Sequence, residues 1–90
     1  MYNWDVFKRQ DIGVQSLIKW QFGEHGGFWT AMWKAISTAD ESNLMRLSAA
    51  YPLEVQAYRS YTSLPGWWEK LLEQLRKPEV INGGKKEKGT

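Results

Sequence analysis

The chain contains no cysteine and a single histidine, His25. Without thiols there is no disulfide framework, no thiolate metal site and no cysteine nucleophile. One imidazole with only Glu24 beside it lacks the ligand spacing of a zinc centre, so no metal is expected. Long apolar runs are missing too. None exceeds three residues, against the ~20 of a membrane helix, so no membrane contact is expected. The opening residues, Met1-Tyr2-Asn3-Trp4-Asp5, show no basic region leading into an apolar stretch, and no signal peptide is read there. A cytoplasmic protein is the expectation.

Neither sign of charge dominates. The formal net charge is +2, and up to Lys77 nine basic residues face eight acidic ones. The body is therefore close to neutral, and the remaining excess lies in the tail, where Lys85, Lys86 and Lys88 outnumber Glu79 and Glu87. That is not the basic surface of a dedicated nucleic-acid binder.

Aromatics are what the chain has in quantity: six Trp, four Tyr and three Phe among 90 residues. This length supports one domain, since domains commonly run to ~100–150 residues. Small domains bury a modest share of their surface, and an aromatic side chain can bury ~150–250 Å². Thirteen of them cannot all be inside so small a body. Those left outside are candidate contact residues.

Apolar spacings of three and four predict an all-α fold, a compact bundle of four to five short helices. Residues 1–77 form the helical domain, and 78–90 a flexible, disordered basic tail. The segment Tyr2 to Gln10 is open, with Asn3 able to cap a short turn carrying Val6 and Phe7 and Trp4 folding back on the body. Asp11 caps a helix with Val14, Leu17, Ile18, Gln21 and Phe22 on one face, stopped by Gly23. Gly13 either weakens that helix or lets another backbone approach. Phe28 to Ala39 is expected to be the central helix, because Phe28, Trp29, Met32, Trp33 and Ile36 make a stripe broad enough for two neighbours. Asp40 caps a short helix with Leu44 and Leu47. Pro52 opens the next at its first position, with Val55, Tyr58 and Thr62 inward. Trp67 to Arg76 is the last, with Trp68, Leu71, Leu72 and Leu75 inward.

Catalytic signals are weak. Gly23-Glu24-His25-Gly26-Gly27 lacks the Gly-Lys-Ser/Thr ending of a phosphate loop, and His25 reads as a solvated loop residue. Asp40 and Glu41 read as a cap, Glu69 and Glu73 as a solvated face. No serine stands with the histidine in a nucleophile motif. A non-enzyme without cofactor is expected. The leading expectation is a protein-binding accessory or inhibitory module, with Trp4, Trp20, Trp29, Arg59, Tyr61 and Trp67 as contact residues, because Trp, Tyr and Arg dominate interface hot spots. Self-association is compatible with the same residues. The alternative is a nucleic-acid-binding accessory protein using Lys70, Arg76, Lys77, Lys85, Lys86 and Lys88. A helix-turn-helix across Leu44 to Tyr61 fits poorly, since its connection has no glycine and its second helix offers Arg59, Gln56 and Ser60 as readers.

Four stretches carry a resemblance. They are Phe28-Trp29-x-Ala31-x-Trp33-x-Ala35-Ile36, Ala39-Asp40-x-x-Asn43-Leu44-x-Arg46-Leu47, Tyr51-Pro52-x-Glu54-Val55-x-Ala57-Tyr58 and Leu64-Pro65-Gly66-Trp67-Trp68. Across about half the chain this resembles small helical proteins of bacterial prophages and other mobile elements. The resemblance implies a short accessory or host-interacting protein, such as an inhibitor of a host defence system. It carries over no catalytic or ligand-binding residue.

Overall fold

Three polar side chains start three helices. In the computed structural model, which describes residues 2–77, Asn3 accepts from the Asp5 and Val6 amides and opens α1 (Trp4–Lys8). Asp11 accepts from the Val14 amide at 2.8 Å and opens α2 (Ile12–Gln21). Asp40 does the same for the Asn43 amide, also at 2.8 Å, at the head of α4 (Glu41–Ala50). Each bond satisfies an amide that has no partner within its own first turn.

The other three begin differently. Gly26 precedes α3 (Gly27–Thr38) without a side-chain cap. Pro52 is the first residue of α5 (Pro52–Ser63). Gly66, at φ +81°, leads into α6 (Trp67–Arg76), and Gly23, at φ +70°, turns the chain after α2. Both glycines hold the left-handed conformation that a Cβ strains. The fold is all-α among the described residues. Five helices stand where the periodicity predicts them, and α1 makes a sixth. The expected tail, 78–90, lies outside the described residues.

The centre of the bundle is α5, not α3. Helices α2, α3, α4 and α6 all pack against α5. The apolar stripe of α3 misled because stripe width measures apolar area, whereas centrality depends on how closely neighbours can approach. Only Trp33 and Ile36 of α3 are fully covered, and Phe28 is 60% exposed. On α5 the buried set is Glu54, Val55 and Ala57, and two of these are short enough to let other helices near. Tyr58 helps from the edge, donating its hydroxyl to the Ser37 carbonyl of α3 at 3.4 Å. Thr62 is exposed rather than inward and donates to the Tyr58 carbonyl.

The N-terminal segment is tied into the body. The Asn3 amide donates to the Leu75 carbonyl at 2.6 Å and its side-chain nitrogen to the Lys77 carbonyl at 3.2 Å. One asparagine thus caps the start of α1 and the end of α6. Tyr2 is buried against the rings of Phe7 and Phe22, and its hydroxyl donates to Glu24 at 3.0 Å. Burial, then the hydrogen bond and charge of Glu24, push the phenol pKa up. Leu17, Ile18, Trp33, Ile36 and Leu75 complete a core with no exposed surface on any of the five.

Candidate functional site

The most unusual surface lies where α2, α3 and α5 begin. Gly13, in the first turn of α2, faces the first turn of α5 so closely that a Cβ there would overlap the Leu53 carbonyl. It would also stand 2.7 Å from the Glu54 amide nitrogen. Backbone therefore meets backbone, and the flanking side chains are forced outward. Ile12 is 67% exposed and Leu53 38%.

Helix α3 brings aromatics to the same end. The Trp29 ring meets Tyr51, the residue joining α4 to α5, edge-on at 5.6 Å. Phe28 lies edge-on to Trp29 at 5.3 Å, and His25 stacks on it at 5.9 Å. Beside these groups is an open cleft of about 180 Å³, lined by Ile12, Gln15, Lys19, His25, Trp29 and Glu54. Glu54 is only 8% exposed, yet its carboxylate has no hydrogen-bond or ion-pair partner among the described residues.

His25 is not the solvated loop residue its sequence context suggests. It is half-buried, with Nε2 2.7 Å from the Ser16 carbonyl and 2.9 Å from the Ser16 hydroxyl. A serine and the lone histidine are thus neighbours after all. A carbonyl can only accept, so Nε2 carries the proton and donates it. That nitrogen cannot act as base toward the hydroxyl, which nucleophilic activation requires. The hydroxyl is further occupied by the buried indole N–H of Trp33, which donates to it at 2.8 Å. The pair pins the loop to α2 and satisfies a buried donor.

The six aromatic and basic contact candidates are spread over different helix junctions. Trp4 is 48% exposed and stacks on Phe7. Trp20 stacks on Trp33, Trp29 belongs to the cleft, and Tyr61 meets Trp68 edge-on. Trp67 lines a separate open groove of about 400 Å³ with Gln10, Lys70 and Gln74. Arg59 is held by Glu41 through two hydrogen bonds, 2.7 and 3.3 Å, clasping α5 to α4. Lys70 and Arg76 are exposed on α6 and Lys77 just after it, and Lys85, Lys86 and Lys88 lie outside the described residues. The helix-turn-helix reading loses its turn, because Tyr51 alone joins α4 to α5, where the motif uses three or four residues.

The Arg59 clasp predicts a pH dependence. The hydrogen bond from Arg59, opposed by desolvation and aided by its charge, lowers the Glu41 pKa below the usual carboxylate value. A depressed folded-state pKa contributes stability above the unfolded pKa, and that contribution is lost as pH falls through the folded value. The urea midpoint of the natural chain should exceed that of Glu41→Gln at pH 7, and the gap should close below about pH 4. A gap that persists unchanged to pH 3 would refute the clasp.

Residue type and spacing single out neither Ile12, Phe28, Tyr51 and Leu53 as surface contacts nor Glu54 as a largely buried acid. The one pointer in the sequence is Gly13, the position where a close backbone approach is an option. No protein-family model, curated protein or solved structure matches the chain.

Proposed function

We propose that the protein is a non-catalytic protein-binding module that docks a partner on the end surface formed by α2, α3 and α5. The observation that carries this reading is the exposed apolar set Ile12, Phe28 and Leu53 around the Trp29–Tyr51 pair. Apolar and aromatic side chains bordering a cleft, on a near-neutral body, are the composition of an interface core. Among the described residues no group of three or more His, Cys, Asp or Glu could hold a metal, and no helix is long and apolar enough to cross a membrane. The likeness to prophage proteins suggests a partner in a host protein complex and an accessory or inhibitory role in the cytoplasm.

The test is affinity capture from nuclease-treated bacterial lysate, comparing the natural chain with an Ile12→Ser, Phe28→Ser double variant. Both positions are exposed, so the variant should keep its circular dichroism spectrum. The natural chain should retain a discrete protein at high salt, and the variant should lose at least ~10-fold in affinity for it, about 1.4 kcal/mol. Equal retention by both would exclude this surface.

A second reading has one observation in its favour. Trp67 and Lys70 share the groove beside α6, pairing an aromatic face with a cation as single-stranded nucleic-acid sites do. In that case Trp67→Ala cuts RNA or DNA affinity, and Lys70→Ala together with deletion of Gly83 to Thr90 flattens its salt dependence.

A further inference from the structure

Glu54 is the residue in the cleft that the fold does not explain. Glu54 is nine-tenths buried as a residue, and a carboxylate with neither hydrogen bond nor counter-charge carries a desolvation cost in proportion to its own burial. Its place in the first turn of α5 offsets part of that cost, because free helix amides favour negative charge. The nearby ammonium and imidazole are engaged elsewhere. Lys19 contributes to the cleft wall but holds its ammonium 6.0 Å from the centre of the Phe7 ring. His25 directs its Nε2–H at Ser16.

The cleft therefore offers an unpaired carboxylate, an indole wall from Trp29 and an aliphatic edge at Ile12. A guanidinium matches all three: it is planar, binds carboxylates through two parallel hydrogen bonds and stacks on aromatic faces. A volume of about 180 Å³ suits one side chain, below the ~300–1,000 Å³ of ordinary small-molecule pockets. We propose that the cleft receives an arginine side chain of the partner protein. Glu54 binds the guanidinium, Trp29 flanks it, and Ile12, Leu53 and Phe28 cover the apolar residues around it. This rests on the protein-binding reading and adds the chemistry of the residue recognised.

The experiment is a titration of the ¹⁵N-labelled full chain with N-acetyl-arginine N′-methylamide, alongside the citrulline and lysine counterparts. The readout is the Trp29 indole N–H resonance, assigned through Trp29→Phe. Arginine should move it saturably with a Kd of roughly 1–10 mM. Citrulline, which keeps the shape but not the charge, should not move it, and lysine should bind several-fold more weakly. Glu54→Gln should abolish the response.

No saturable movement, an equal response to citrulline, or an unchanged response in Glu54→Gln would each overturn the proposal. A lysine response as strong as that of arginine would overturn the guanidinium assignment. If Glu54→Gln does not fold, the arginine–citrulline comparison on the natural chain decides alone. The blocked amino acid carries no partner surface, so its failure leaves the capture experiment with Ile12 and Phe28 standing as a separate result.

Discussion

Replacing Gly13 by alanine should lower the melting temperature by roughly 8–24 °C, as a loss of about 2–3 kcal/mol in a domain of this size implies. Helix propensity argues the other way, because alanine is favoured over glycine in a helix interior by ~1 kcal/mol. The packing wins because the new Cβ meets main chain. It would overlap the Leu53 carbonyl and crowd the Glu54 amide nitrogen, and neither can swing aside as a flexible side chain would. The first turns of α2 and α5 must separate, which also opens the cleft between them. Thermal unfolding followed at 222 nm checks this. An alanine variant as stable as the natural chain, or more so, would mean that the two helices do not touch there.

The second large effect belongs to Trp33. It is the largest side chain with no exposed surface, and Trp→Ala in a core costs about 3–5 kcal/mol. Against a total stability of ~5–15 kcal/mol, towards the low end for a small domain, Trp33→Ala should leave much of the chain unfolded at 37 °C. The hydrogen bond adds a finer test. Ser16→Ala strands the indole N–H that now donates to Oγ at 2.8 Å, at a cost of about 1–3 kcal/mol. In a Trp33→Phe background no indole remains to be stranded, so Ser16→Ala should cost less. Denaturant midpoints across the four proteins give the coupling directly. Strictly additive changes would show that Ser16 and Trp33 do not depend on each other. The parallel stack of Trp20 on Trp33, at 5.2 Å and 9°, makes near-ultraviolet circular dichroism a second readout of the same site.

Both effects bear on the proposed docking surface through one piece of geometry. Gly13 sets the α2–α5 contact that forces Ile12 and Leu53 outward, and Ser16 anchors both Trp33 and the loop that carries His25 to Trp29. A variant that loosens either contact should weaken partner capture even when the apolar border residues are intact. Binding and stability should therefore fall together at Gly13, whereas the surface changes at Ile12 and Phe28 should lower binding alone.

Five of the six helices are legible in residue type and spacing, and α1 is the one left open. Asn3, Asp11 and Asp40 cap them, Pro52 starts one, and Gly23 and Gly66 supply the left-handed turns. These are local interactions, reaching at most four residues along the chain, so residue type and spacing suffice to read them. Much of the core followed too, since Leu17, Ile18, Trp33, Ile36 and Leu75 sit on faces that periodicity exposes. Tertiary structure decided that α5 rather than α3 is the centre, that Tyr2 belongs to the core, and that His25 meets Ser16. It also placed Glu54, a first-turn acid, largely buried at the edge of a cleft. Each of these depends on contacts between residues far apart in the chain, such as Gly13 with Leu53. Helical periodicity tells which face of a helix is apolar. It does not tell how near the next helix comes, and that distance shaped the cleft.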